Sequence, residues 1–312
     1  MQRPLFENTN ITPIVFGCNV FGWTIDEAQS FRMLDHLVDR GLNCIDTADT
    51  YARWIGKPGI SESIIGRWLK QSGKREKLVI ATKVGMEMAP DRKGLSKKHI
   101  LASVDESLQR LQIDCIDLYQ AHQDDPATPL EESLEAFDSL VKAGKVKAIG
   151  ASNYSGARLR EAQGIAKSKN YAVFQTLQPH YNLYERQDFE TDLAAVSKEQ
   201  GLAVIPYFSL AAGFLTGKYR SEADFSKSAR GGGMKKYMND RGLRILGALD
   251  TVAANVHATP AQIALAWLLS RPAVTAPIVS ATTTEQLDAL IAALDVKLDA
   301  EALKLLDAAS AY

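Results

Sequence analysis

Four ionisable side chains stand where short apolar runs give way to polar residues. Asp46 and Tyr51 lie in Asn43-Cys44-Ile45-Asp46-Thr47-Ala48-Asp49-Thr50-Tyr51, Lys83 ends Leu78-Val79-Ile80-Ala81-Thr82-Lys83, and His122 ends Ile116-Asp117-Leu118-Tyr119-Gln120-Ala121-His122. Singly, each has an ordinary explanation: a capping Asp in a loop, a solvated lysine, a packed polar histidine. Together they make one chemistry. A phenol, with a reference pKa of about 10, holds its proton at neutral pH, and a neighbouring ammonium eases its transfer to a developing alkoxide. A carboxylate beside the ammonium keeps it charged despite burial. An imidazole beside the phenol can hydrogen-bond the substrate oxygen and orient it. The set suits polarising a carbonyl and protonating it as hydride arrives. It contains no reducing group, so a cofactor must bring the hydride.

For these side chains to meet, their strands must be neighbours that end on one face. Strands read at 14–17, 43–46, 78–83, 116–122, 146–152, 174–178, 203–207 and 277–279. Helical patterns fall between them at 26–40, 61–70, 96–111, 129–143, 155–167, 188–200, 241–257, 261–270 and 285–294, with a last one at 299–309. Ser61-Glu62 reads as the opening cap of the second helix. This alternation predicts an α/β fold, a (β/α)8 TIM barrel with an extra C-terminal helix and a long loop, 208–240, after the seventh strand. In such a barrel the C-terminal strand ends converge on one face. An open dinucleotide-binding sheet would want G-x-G-x-x-G after its first strand, and Gly17-Cys18-Asn19-Val20-Phe21-Gly22 fails that pattern. No linker or composition shift appears, so a single domain over 1–312 is expected.

The composition is that of an ordinary globular chain: 312 residues, 46% hydrophobic and 23% charged. The 36 basic and 37 acidic residues are interspersed and leave a net charge of -1, which gives a nucleic-acid partner no electrostatic support. Cys18, Cys44 and Cys115 are far apart and form no metal-binding spacing, so they read as small core residues in a reducing compartment, with no metal site. The N-terminus lacks the apolar run of a secretory signal, and no stretch approaches the ~20 apolar residues of a membrane span. The expectation is a cytoplasmic protein without a membrane partner.

Further motifs run in order along the chain: Asp46-Thr47-Ala48-x-x-Tyr51, Ser61-Glu62-x-x-Ile65-Gly66-x-x-Leu69, Ala81-Thr82-Lys83, Asp117-Leu118-Tyr119-x-x-His122, Gly150-x-Ser152-Asn153-Tyr154, Gln178-Pro179-His180-Tyr181-Asn182-Leu183 and Gly213-Phe214-Leu215-Thr216-Gly217-Lys218. In these the chain resembles the aldo-keto reductase superfamily. The resemblance implies Asp46, Tyr51, Lys83 and His122 as a catalytic tetrad, with Ser152, Asn153 and Gln178 on the nicotinamide carboxamide and Tyr207 stacked on the ring. By residue chemistry alone, Ser152 and Asn153 could instead cap the next helix, and Tyr207 could serve only packing. The small residues of Ser209-Leu210-Ala211-Ala212-Gly213 would let backbone N–H groups approach a pyrophosphate, with Lys218 adding charge. After the eighth strand, many family members carry a glycine and a basic residue for a 2′-phosphate. This chain has Ser280-Ala281-Thr282-Thr283-Thr284-Glu285-Gln286, and the family's later asparagine falls on Leu290. Ser280, Thr282 and Gln286 are the expected contacts there. NADPH is what the resemblance implies, with NADH possible.

Cys18, Phe21, Trp23, Trp54 and Tyr154 are candidate walls for a small carbonyl or alcohol substrate, and the 208–240 stretch, with Arg230-Gly231-Gly232-Gly233, reads as a flexible flap or an excursion. Two other readings compete. In an aldolase-type barrel Lys83 would be a Schiff-base nucleophile, which requires a depressed pKa, whereas Asp46 should raise it. Voltage-gated potassium channel beta subunits share the scaffold and use nucleotide occupancy to regulate a partner. Against a sensor of that kind, the sequence shows no N-terminal inactivating extension and no evident large apolar patch.

Overall fold

The computed structural model describes residues 2–229 and 231–312, so Arg230 of the long loop lies outside the described residues. Each apolar run read as a barrel strand does form one, and all eight pair in parallel. They are β3 (Val15–Gly17), β4 (Cys44–Asp46), β5 (Val79–Val84), β6 (Ile116–Ala121), β7 (Val146–Ser152), β8 (Phe174–Gln178), β9 (Ala203–Val204) and β10 (Ile278–Val279). Their order is β10-β3-β4-β5-β6-β7-β8-β9. Between the two outer strands, the Thr275 and Ala276 N–H groups donate to the Val204 carbonyl and the Ile278 N–H to the Pro206 carbonyl, which closes the ring. This is the (β/α)8 barrel.

The side-chain period of two divides each strand between two cores. Val15, Cys44, Ala81, Leu118, Ala148 and Ile205 fill the barrel interior. Their neighbours Phe16, Ile45, Ile80, Tyr119, Ile149 and Val204 face outward into the larger core under the helices. Each fully buried large apolar side chain contributes about 1.5–3 kcal/mol relative to exposure. Cys18 and Cys44 are core residues, as expected, while Cys115 is half-buried.

The helices are α1 (Glu27–Asp39), α2 (Ile60–Ser72), α3 (Lys97–Leu111), α4 (Leu130–Lys142), α5 (Gly156–Lys169), α6 (Ala194–Gln200), α7 (Asp240–Val256), α8 (Pro260–Leu269), α9 (Thr284–Ile291) and α10 (Ala300–Ala309). The Asp26 carboxylate caps α1, accepting from the Gln29 N–H at 2.8 Å. The cap read for α2 is not the one formed: Gly59 is the N-cap, with φ 77, and Ser61 and Glu62 are buried inside the first turn. Their polarity serves tertiary contacts, since Ser61 Oγ donates to the Cys18 carbonyl and Glu62 accepts from Thr82 and Arg110. The helix expected at 188–200 begins as a wider π turn, Phe189–Leu193, before becoming α6. Among the described residues no single helix is long and apolar enough to cross a membrane.

Two further features depart from the sequence reading. A hairpin of β1 (Arg3–Phe6) and β2 (Thr9–Ile11) places Leu5 and Ile11 in the interior cluster. Arg3 anchors it by donating to the carbonyls of Leu269, Val274 and Thr275. The stretch 208–240 is neither excursion nor bare flap: it holds short 3-10 helices at Ala211–Thr216, Glu222–Lys227 and Gly231–Tyr237, and it buries Phe214, Leu215, Tyr219, Met234 and Tyr237.

Gly66 shows how tightly the helical layer is set. A Cβ built there would lie 2.1 Å from the Arg110 carbonyl at the end of α3. Gly66→Ala should therefore force α2 and α3 apart and cost about 1–3 kcal/mol, read as a lower chemical denaturation midpoint. An unchanged midpoint would show that the contact yields freely.

Candidate active site

The turn after β4 brings Tyr51 back over its own strand. The Thr47 N–H donates to Ala81 O at 2.8 Å, the Asp49 N–H to Lys83 O at 3.3 Å, and the Tyr51 N–H to Ala48 O at 3.2 Å. The loop is thus sewn to β5, which carries Lys83. Lys83 Nζ donates to Asp46 Oδ2 at 2.6 Å, to the Thr47 carbonyl at 2.7 Å and to Tyr51 Oη at 3.0 Å. Tyr51 Oη in turn donates to Asp46 Oδ2 at 3.2 Å. His122 follows β6, its N–H held by the Val84 carbonyl, and its ring lies edge-on to Tyr51 with centroids 6.2 Å apart. The four side chains read as one set do meet at one barrel end.

Asp46 is 1% exposed and Lys83 is 0% exposed, so neither charge has water to fall back on. Burial pulls the Lys83 ammonium below its usual range, outweighing the Asp46 carboxylate that pulls it up. The expected direction is thereby corrected: desolvation, which a sequence does not display, is the larger effect. Burial, reinforced by the Lys83 charge, takes His122 well below the usual histidine range, so its imidazole is neutral at pH 7.

Asp46, Tyr51 and His122 line one end of a cavity of about 920 Å³, while Lys83 lies behind them and does not reach it. Gln178, Ser152, Asn153 and Tyr207 line the neighbouring stretch. Gln178 Nε2 donates to Asp46 Oδ1 at 2.9 Å, which leaves its amide oxygen for a donor in the cavity. Asn153, with φ 55, uses its amide nitrogen on the His122 carbonyl and Ser152 Oγ, and its amide oxygen accepts from Tyr207 Oη at 2.8 Å. Ser152 Oγ donates to the Gln178 carbonyl. Neither residue caps the next helix, a task that falls to Ser155. Tyr207 stacks on His180 with centroids 5.0 Å apart, and burial pushes its phenol up to about 12, so it stays a donor to Asn153.

Farther along, Ser209, Leu210, Gly213 and Lys218 line the cavity as expected, but Ala211 does not. Ala211 turns inward and is fully buried; Ala212 takes its place at the surface. A run of left-handed backbone, φ 48 at Ala211, 55 at Ala212 and 103 at Gly213, produces this twist. Lys227 and Ser228, from the long loop, line the same region, and Lys227 Nζ donates to the Lys218 carbonyl. At the far end are Ser280, Thr282, Gln286 and Leu290. Ser280 Oγ is taken up by the Gly17 carbonyl and Asn19, and Gln286 Oε1 accepts from both the backbone and the hydroxyl of Thr282.

Of the expected substrate walls only Trp54 lines the cavity, 51% exposed, with Trp23 packed edge-on against it at 5.1 Å. Cys18, Phe21 and Tyr154 are buried in the outer core. Met86 and Phe208 line the cavity instead; both sit in loops, where no periodicity marks them. Gln120, which reaches Asp46 Oδ1 at 3.4 Å, was also missed, although strand alternation puts it on the same face as Leu118.

A closed parallel barrel with this buried Asp–Lys–Tyr unit beside a histidine agrees with sequence comparison: the chain belongs to the aldo/keto reductase family, a family of oxidoreductases, whose sequence model matches residues 13–311. Among individual proteins it is similar to the uncharacterized oxidoreductase YrpG of Bacillus subtilis, at 36% identity over 305 residues, covering 95% of this chain and 91% of the relative. It is 32% identical to the aldo-keto reductase yakc [NADP(+)] of Schizosaccharomyces pombe, over 95% of this chain and 88% of that protein. It is also 32% identical to a probable voltage-gated potassium channel subunit beta of Arabidopsis thaliana, over 92% of this chain and 88% of that one.

Asp49 is a second buried carboxyl, 0% exposed, and burial beside Glu62 raises it well above the usual carboxylate range. The folded state therefore keeps a proton that the unfolded chain releases above a pKa of about 3.9, so this group favours folding less as pH rises. Asp49→Asn should gain stability relative to wild type as pH rises above about 4, measured as the difference in urea midpoints. A difference that does not change with pH would mean that Asp49 is ionised in the folded protein.

Proposed function

We propose that this chain is a nicotinamide-dependent carbonyl reductase, acting on an aldehyde or ketone and reversible to the alcohol. The observation that carries the reading is the position of Tyr51 Oη, at the cavity wall, bonded both to Lys83 Nζ and to Asp46 Oδ2, with a neutral imidazole beside it. Tyr51 gives its proton to the substrate oxygen, and the Lys83 ammonium stabilises the charge left on the phenol. Asp46 holds that ammonium in place. A neutral His122 orients the carbonyl by a hydrogen bond without competing as an acid.

The cavity residues fit a nicotinamide dinucleotide, which when bound supplies the hydride. The free amide oxygen of Gln178 suits a carboxamide N–H, Tyr207 offers a ring face braced by His180, and Ala212, Gly213 and Lys218 form a small-residue, cationic stretch suited to phosphates. The cavity volume of about 920 Å³ lies in the range of small-molecule sites. NADPH is the favoured form, supported by the NADP(+) in one relative's name, while Lys218 and Lys227 at the cavity suit the pyrophosphate that NADH and NADPH share. Trp54, Met86 and Phe208 give the mouth an apolar rim for a small carbonyl or alcohol substrate. Lys83 is unsuited to Schiff-base chemistry, because its three protons are all committed and it does not reach the cavity.

The likeness to a channel beta subunit supports a second reading, a nucleotide-sensing regulatory subunit on the same scaffold. One experiment separates the two. Tyr51→Phe should lower NADPH-dependent reduction of a panel of aldehydes by about 10²–10⁴-fold while leaving the NADPH dissociation constant unchanged. Equal loss of binding and turnover would remove Tyr51 as the proton donor. Nucleotide binding with no turnover by the wild-type protein would favour the sensor.

A further inference from the structure

The two oxygens of Asp46 have separate partners. Oδ2 is held by Lys83 and Tyr51; Oδ1 accepts from Gln178 Nε2 at 2.9 Å and from Gln120 Nε2 at 3.4 Å. Gln178 has an evident second use at the cavity wall. Gln120 has none: it is fully buried within the barrel and does not line the cavity. It sits on β6 in register with Lys83 on β5 and Gly150 on β7, in the layer just above the apolar interior.

Three observations say that this amide is kept for its contact with Asp46. First, its oxygen is buried with no hydrogen-bond partner, a cost of about 1–3 kcal/mol that an apolar side chain such as that of Leu118, two residues earlier, would avoid. Second, the opposite amide orientation would set two oxygens against each other, so only the donor can face Asp46. Third, a glycine on the next strand leaves the side chain room. A Cβ on Gly150 would lie 3.1 Å from Gln120 Cγ and 2.1 Å from Thr176 Oγ1. The glycine is required chiefly by Thr176 and, by the tighter-than-usual 3.1 Å contact, also leaves Gln120 its room to lie across toward Asp46.

We propose that Gln120 is a positioning residue that, together with Gln178, pins Asp46 Oδ1 so that Oδ2 stays directed at Lys83 and Tyr51. At 3.4 Å its contact is the weakest of the four, so it governs how Asp46 is turned and how much of its negative charge the phenol feels, and the ion pair itself survives without it. The proposal rests on the reading of Tyr51 as proton donor, but it can be tested without substrate.

The test follows Tyr51 ionisation by NMR of tyrosine labelled with carbon-13 at Cζ, with the Tyr51 signal assigned from Tyr51→Phe. In Gln120→Leu the carboxylate loses a donor and presses more charge on the phenol, so the Tyr51 midpoint should rise by about half a pH unit or more. In the near-isosteric Gln120→Met the donor is lost with no charge added, and the midpoint should move the same way. The Met variant decides the matter if the Leu variant does not fold. Turnover should fall several-fold in both, with NADPH affinity unchanged. A Tyr51 midpoint equal to wild type in the folded variants would overturn the proposal and leave Gln120 as filler. Absence of turnover in the wild type would instead sink the reductase reading, and the midpoint shift would still decide the role of Gln120.

Discussion

Everything at the C-terminal end of this barrel depends on one buried ion pair, Lys83 with Asp46, neither of which is more than 1% exposed. Taking two charges out of water costs several kcal/mol per ion, and removing one partner of such a pair typically costs about 3–5 kcal/mol. That cost is offset only where all remaining donors and acceptors are met. Here Lys83 has three acceptors and Asp46 four donors, drawn from β4, β5, β6, β8 and the loop after β4. A closed parallel barrel brings those ends together without a flexible loop having to carry the charges.

The same constraint orders the surroundings. Because the Lys83 charge is buried, it helps to keep His122 neutral. Behind the loop, Glu62 accepts from Thr82 and Arg110, and that network ties α2 and α3 to β5. Gly66 lets the two helices close over it. The helical layer therefore acts on the site indirectly, by fixing the loop that carries Tyr51.

Much of this was legible in the sequence, for physical reasons. Buried parallel strands are short apolar runs, so all eight barrel strands and the four converging ionisable residues could be placed from pattern alone. Where the pattern is weak, the reading failed. The β1–β2 hairpin is too short to show alternation. The polar character of 208–240 hid the aromatic side chains it buries, and the inward turn of Ala211 follows from left-handed backbone angles that alanine does not advertise. The direction of the Lys83 shift depends on burial, a property of the assembled fold. Gln120 was in plain view on the correct face of its strand, yet a glutamine acquires meaning only once its acceptor is located.

The central claim is that Asp46, Lys83 and Tyr51 act as one unit on the proton given to the substrate oxygen. A double-mutant cycle on kcat/KM for aldehyde reduction, built from Asp46→Asn and Lys83→Met, tests it most directly. The account predicts strong non-additivity, with the double variant about as impaired as the worse single variant, because either change already breaks the unit. Losses that simply add would show that the two residues act independently, and would contradict it.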